Sequence, residues 1–322
     1  MMHSRLIPDV KRLGLHSAAW RVVARAIATA ALLSATAGAA VPRAQATGMV
    51  INVVASTNVY ADVIAQLGGS HVQVMGILSD PNTDPHTYES STSDAGAVAK
   101  ATLVVQNGIG YDDFMGKLES ASPNAKRVVV DVGKTLGYKV GDNPHIWYNP
   151  STMPRIAPLI VDALAKQDPA DAATFRANLK TFIASLRPWT ALIAQVKQRF
   201  AGAPIAITEP VFSLEATAMG LKILTPTSFA FAIMEGNDPS PQDVQFQKNL
   251  FSGNKVKAFF YNQQAVAPIT VTLEGLARTH HIPIVGVYET KPLAKNYQQW
   301  MVAEAQATLK ALASGVSTEK IS

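Results

Sequence analysis

The 322-residue sequence contains no cysteine. That removes disulfides, thiolate metal sites and cysteine nucleophiles, and with them the lipid-modified cysteine that anchors a bacterial lipoprotein. Charged residues are scarce at 16%, against 48% hydrophobic residues, so a large core is within reach and disorder is not expected. Beyond residue 46 no apolar run reaches the ~18 residues that a membrane-spanning helix needs. Neither HExxH nor GxSxG occurs, which takes away the two simplest hydrolase signatures. Short-period repeats and low-complexity segments are also missing.

The net charge of +5 is a local matter. Residues 1–46 carry Arg5, Lys11, Arg12, Arg21, Arg25 and Arg43 against the single acid Asp9. The remaining chain balances at 22 residues of each sign, so no nucleic-acid partner is expected. The same segment has a basic start, an alanine-rich apolar stretch AIATAALLSATAGAA (26–40) and the small-residue triplet AQA (44–46). These are the parts of a signal peptide, with cleavage expected after Ala46; a twin-arginine export motif is absent. The expected location is a periplasm, without a lipid anchor.

From residue 49 the pattern alternates. MVINVVAST (49–57), HVQVMGILS (71–79), TLVVQNG (102–108) and RVVVDVG (127–133) are short β-branched runs separated by helix-periodic segments. Near-continuous apolar runs suit strands of a parallel sheet covered on both faces. Asn58 is the expected N-cap of the first helix, and Ser91 or Ser93 of the second. From Ser151 to Phe200 the reading is helical, with one helix of ~30 residues, or ~45 Å, starting at Pro169 and bent at most by Pro188. Strands PIAITEP (204–210), KAFFYNQQ (257–264) and IPIVGVYET (282–290) then alternate with helices again. The fold class is α/β: two parallel-sheet lobes joined by a long rigid helix, with a ligand cleft between them. The expected boundaries are 1–46 for the signal peptide, 47–165 and 203–322 for the lobes, and 166–202 for the linking helix.

Ligands of parallel α/β sheets bind beyond the carboxyl ends of the strands. Four polar residues fall there. His86 follows the second strand and His145 the fourth; Glu209 and Glu289 end the first and last strands of the second lobe. Two imidazoles and two carboxylates suit a divalent first-row metal, and Pro85 and Pro144 stiffen the backbone before each histidine. Spacing alone also admits solvated loop histidines and strand-end glutamates in ordinary caps or ion pairs. Tyr88, Trp147 and Tyr148 flank the histidines, either as a cover for the site or as plain core.

The blocks DPHTYESS, NPHIWYNP, AITEPVF and VYETKP, in this order, resemble the metal-binding solute-binding proteins of bacterial ABC importers, the zinc- and manganese-type group. The resemblance covers residues 49–315. It implies a metal held between the lobes by His86, His145, Glu209 and an acid of the last block, taken as Glu289. It further implies delivery to a membrane permease by a monomer, with no reaction catalysed. The commoner pattern has Asp in the last block, and zinc-type members often carry a third His where Glu209 stands and a His/Asp-rich loop after the first ligand. Their lack here leans the cargo toward manganese or iron over zinc. The rival readings are a secreted metallohydrolase using the same cluster, and a binder of organic solutes or an adhesin.

Overall fold

The computed structural model describes residues 50–80 and 88–321. His86, and the segment read as a signal peptide, therefore lie outside the described residues. The first lobe is built on β1 (Ile51–Thr57), β2 (Val72–Leu78), β3 (Leu103–Gln106) and β4 (Val128–Asp131), with α1 (Asn58–Gly68), α2 (Thr92–Lys100), α3 (Phe114–Ala121) and α4 (Val132–Leu136) between and after them. Three helices follow, α5 (Thr152–Gln167), α6 (Ala172–Ser185) and α7 (Arg187–Phe200). The second lobe holds β5 (Pro204–Ile207), α8 (Ser213–Ala218), β6 (Lys222–Ile223), α9 (Thr227–Met234), α10 (Pro241–Ser252), β7 (Ala258–Asn262), α11 (Pro268–Thr279), β8 (Ile284–Val287) and α12 (Tyr297–Ser314).

Both sheets are wholly parallel and share one topology, β2-β1-β3-β4 and β6-β5-β7-β8. Each reverses its winding between the first and third strands, β1/β3 and β5/β7. Loops leave those neighbours in opposite directions and open a crevice at the carboxyl edge. Six of the seven residues of β1 are buried, as the uncharged Val/Ile run requires. Core residues from both sheets and from α5, α7 and α12 form one continuous cluster. Among the described residues, no helix is long and apolar enough to cross a membrane.

The helical stretch differs from expectation. Pro169–Asp171 is a short 3-10 turn, and the helix expected to run unbroken through Pro188 divides at Leu186 into α6 and α7. Pro188 has no N–H to return to the carbonyl of Ala184, so the ladder breaks there and resumes with Thr190 N–H donating to Leu186 O at 3.1 Å. The cap of α1 also shifts by one residue. Thr57 accepts from Tyr60 N–H, while the Asn58 amide reaches the other lobe. There it accepts from Lys291 N–H and donates to Lys291 O, both at 2.8 Å. The two-residue β6 and the short α4 and α9 went unread in the sequence, being too brief to carry a period.

The lobes and the connecting helices meet over two buried carboxyls. Trp189 of α7 donates its indole N–H to Glu215 Oε1 at 2.9 Å, and Trp300 donates to Glu304 Oε1 at 2.7 Å. Burial pushes both carboxyls up, Glu304 to about 8, and the Glu304 charge raises Glu215 further. Folded Glu304 therefore keeps a proton that the unfolded chain releases near 4.5. Its contribution to stability is complete below that value and is lost as pH rises toward 8, at up to ~1.4 kcal/mol per pH unit. Urea denaturation is expected to show stability falling as the pH is raised from about 5 to about 8, and Glu304→Gln to flatten the slope and be the more stable protein at the upper end by roughly 1–3 kcal/mol. A variant with the unaltered slope would contradict the assignment.

Candidate metal centre

Three of the four singled-out residues converge. His145 Nε2 and Glu289 Oε2 lie 3.1 Å apart with both side chains fully buried. Glu209, 2% exposed, joins them through Asn262, whose Nδ2 donates to Glu289 Oε1 at 2.7 Å and to Glu209 Oε2 at 3.3 Å. The Tyr111 hydroxyl, from the other lobe, donates to Glu289 Oε2 at 3.3 Å.

Each lobe supplies its part from a crevice residue. Asn262 ends β7 and Glu209 stands two residues past β5, so both come from the reversal point of the second sheet. Glu289 lies two residues past the end of β8, rather than in it. Gln264 holds that turn, its Oε1 accepting from Glu289 N–H at 2.5 Å and Thr290 N–H at 2.9 Å. The reversal point of the first sheet supplies Asn107, just past β3. Its side chain accepts from the Tyr60 hydroxyl at 2.7 Å and donates to Pro144 O at 2.9 Å, pinning the loop that carries His145.

That anchor needs a close backbone approach. Gly133 N–H donates to Asn107 O at 2.8 Å, and a Cβ at Gly133 would strike the Ile109 side chain and come within 3.0 Å of that same carbonyl. The loop from Asn107 to Tyr111 then turns through three successive left-handed residues, Gly108, Ile109 and Gly110. For the β-branched Ile109, at φ 62°, this conformation is strained by ~1–3 kcal/mol. Asp112 offsets part of it by accepting from Asn107 N–H at 2.6 Å and Gly108 N–H at 2.8 Å. Burial nevertheless pushes its carboxyl up to about 6. The outcome is Tyr111 aimed at Glu289.

Asn143 settles which nitrogen of His145 faces the cluster. Its Nδ2 donates to Pro210 O at 2.7 Å, a carbonyl that can only accept, so its Oδ1 must face the other way. There it accepts from His145 N–H at 3.0 Å and from His145 Nδ1 at 2.8 Å. A proton on Nδ1 leaves the lone pair of the neutral ring on Nε2, directed at Glu289. Trp147 and Tyr111 pack edge-on against the imidazole, with centroids at 5.4 Å and 5.8 Å.

The aromatic neighbours divide between the two roles weighed for them. Trp147 and Tyr148 are fully buried, so both are core. Trp147 also backs the His145 ring, and the Tyr148 hydroxyl donates to Tyr288 O across the lobes at 2.7 Å. Tyr88, half-buried, donates to Asp94 Oδ2 at 2.7 Å and packs on Phe114. Sequence reading missed Asn262, Asn143, Tyr111 and Gln264. An amide or phenol at a strand end carries no spacing signature, although the NxH pattern of Asn143 and His145 was available to be read.

Comparison with known proteins places the chain in a family. Residues 53–311 match the profile of ZnuA, described as zinc-uptake complex component A, periplasmic. The chain is similar to the manganese ABC transporter substrate-binding lipoprotein scaA of Streptococcus gordonii, at 30% identity over 167 residues, covering 48% of this chain and 53% of the relative. It is also similar to the iron-binding protein YfeA of Yersinia pestis, at 25% over 219 residues, 65% of this chain and 68% of the relative. A crystal structure of ZnuA shares the fold, with a TM-score of 0.67 over 83% of this chain and all of that one, at 22% identity.

Asn262 is the donor the two acids share, so its loss leaves buried acceptors short of a hydrogen bond. Asn262→Ala is expected to lower the urea-denaturation stability of the metal-free protein by about 1–3 kcal/mol near neutral pH. An unchanged midpoint and slope would show that the bridge contributes nothing.

Proposed function

The chain belongs to the periplasmic zinc-uptake component A family, and from that premise we propose that it captures a divalent transition-metal ion between its lobes and passes it to the membrane permease of an ABC importer. The observation that carries this reading is the buried approach of His145 Nε2 to Glu289 Oε2 at 3.1 Å, with Glu209 tied to the same acid through Asn262. About 3 Å is the separation of two ligands on one small cation. Two carboxylates balance a double positive charge where water is excluded. We assign His145, Glu209 and Glu289 as ligands; His86 completes the set on the strength of its sequence block. Asn143 acts on the metal through His145, by holding the ring and its tautomer.

The cargo is manganese or iron in preference to zinc. Carboxylate-rich, nitrogen-poor sites suit the harder ions, although intrinsic affinity favours zinc at most sites. The protein catalyses no reaction on this reading and acts as a monomer. Affinity, exclusion of water and the relative placement of the lobes do the work. The relative from S. gordonii is named a lipoprotein. With no cysteine to carry a lipid, this chain is proposed to be exported and to act unanchored in the periplasm.

Metal at a hundred times its dissociation constant stabilises a protein by ~2.7 kcal/mol. Differential scanning fluorimetry with added Mn²⁺, Fe²⁺ or Zn²⁺ is expected to give a clear rise in melting temperature. His145→Ala and Glu289→Gln are each expected to remove most of it. If both folded variants retained the full rise, the metal would be bound elsewhere and the ligand assignment would fail.

A further inference from the structure

A second constellation of metal-ligating side chains stands at the far end of the first lobe. His71 closes the turn Gly69–His71 that leads into β2. Asp168 ends α5, and Asp171 ends the 3-10 turn Pro169–Asp171 before α6. One ligand atom from each of the three lies within 4.8 Å of the other two. His71 Nδ1 and Asp171 Oδ2 are 2.9 Å apart, and the His71 ring is braced edge-on by Phe175 at 5.7 Å between centroids.

Asp168 sets this group apart from an ordinary ion pair. It is 7% exposed, and its Oδ2 is buried without a hydrogen-bond partner. Its backbone N–H serves the helix, donating to Leu164 O at 2.9 Å. A buried carboxylate oxygen without a donor is costly unless a cation compensates it. The His71–Asp171 pair uses one of the two acids and leaves the other uncompensated. His71 and Asp171 keep 25% and 26% of their side-chain surface, so the group is open to ions and to water from one side.

We propose that His71, Asp168 and Asp171 form a second site for a divalent first-row cation, with water completing the coordination. Neutral imidazole plus two carboxylates carry a charge of −2 and match such an ion. Tetrahedral ligands at zinc distances stand ~3.3 Å apart. The His71–Asp171 pair is already closer than that, and the third ligand arrives by side-chain rotation. The site shares no residue with the cleft. His71 precedes β2 while the cleft lies past its carboxyl end, so seven residues of strand, ~23 Å, separate them. The proposal does not depend on the cleft reading, and its consequence is a carrier that holds two ions, one buried and one reachable from solvent.

Equilibrium dialysis against Zn²⁺ and, separately, Mn²⁺, with elemental analysis of the retained metal, tests both sites on the full chain. The unmodified protein is expected to hold two equivalents of at least one of the metals. His71→Ala and Asp168→Asn are each expected to hold one, and His145→Ala/Glu289→Gln also one, retained now at the second site. Asp168→Asn removes the uncompensated charge without changing shape, so it is also expected to melt higher than the unmodified protein in chelator; it stands in if His71→Ala fails to fold. Unchanged stoichiometry in both His71→Ala and Asp168→Asn would overturn the second site, as would a cleft variant that retains no metal. A single equivalent lost only on changing His71 or Asp168 would instead leave this site standing and sink the cleft.

Discussion

Two carboxylates and an imidazole are held against one another where water does not reach, and much of the rest of the structure makes that arrangement tolerable. Glu209 and Glu289 repel when both are ionised, and burial strengthens the repulsion. Asn262 meets it with one amide nitrogen shared between them, and the Tyr111 hydroxyl adds a donor from the opposite lobe. Neutral donors lower the cost but do not remove it. A cation between the acids and His145 would remove it, and this is the physical argument behind the ligand assignment proposed above.

The architecture brings these groups together through one device used twice. Each four-stranded sheet reverses its winding between its first and third strands, and each reversal places an asparagine at the carboxyl edge, Asn107 in one lobe and Asn262 in the other. Asn262 acts on the acids directly. Asn107 acts through Pro144, fixing the loop from which His145 projects. Neither residue needs to touch a cargo to decide where the site forms, and the strained turn at Ile109 is the local cost of aiming Tyr111 from the same edge.

What the sequence made legible follows the strength of each local signal. Every strand of the two sheets except the two-residue β6 was readable, because parallel strands covered on both faces need unbroken β-branched runs. His145 and Glu209 each stand beside a proline, and Glu209 and Glu289 each lie two residues past a strand, which are local signals that single them out. The helix expected to be continuous was misjudged because its apolar stripe continues across Leu186, while the missing N–H of Pro188 acts on a carbonyl four residues earlier. Asn58 was misjudged for a related reason. An asparagine at a helix start caps well in isolation, but here Thr57 does so and the amide binds Lys291, which is 233 residues away and invisible to any local pattern. Asn262 and Gln264 share that invisibility, since their meaning lies in partners brought by the fold, and Asn143 shares it for its bond to Pro210 but not for its local bonds to His145.

Those same amides couple ligand geometry to the placement of the lobes. Asn143 orients His145 with its oxygen and grips Pro210, next to Glu209, with its nitrogen. Moving the second lobe away breaks the Pro210 bond and frees the amide that holds the proton on Nδ1. The Asn58–Lys291 and Tyr148–Tyr288 bonds span the same seam and resist that movement. On the ligand assignment proposed above, an ion in the cleft and these interlobe bonds favour the same arrangement, and whatever separates the lobes weakens the site at both its imidazole and its acids in one step. Release then needs only a partner that binds the separated lobes better than the joined ones, because a conformational equilibrium moves by the difference in affinity for its two states.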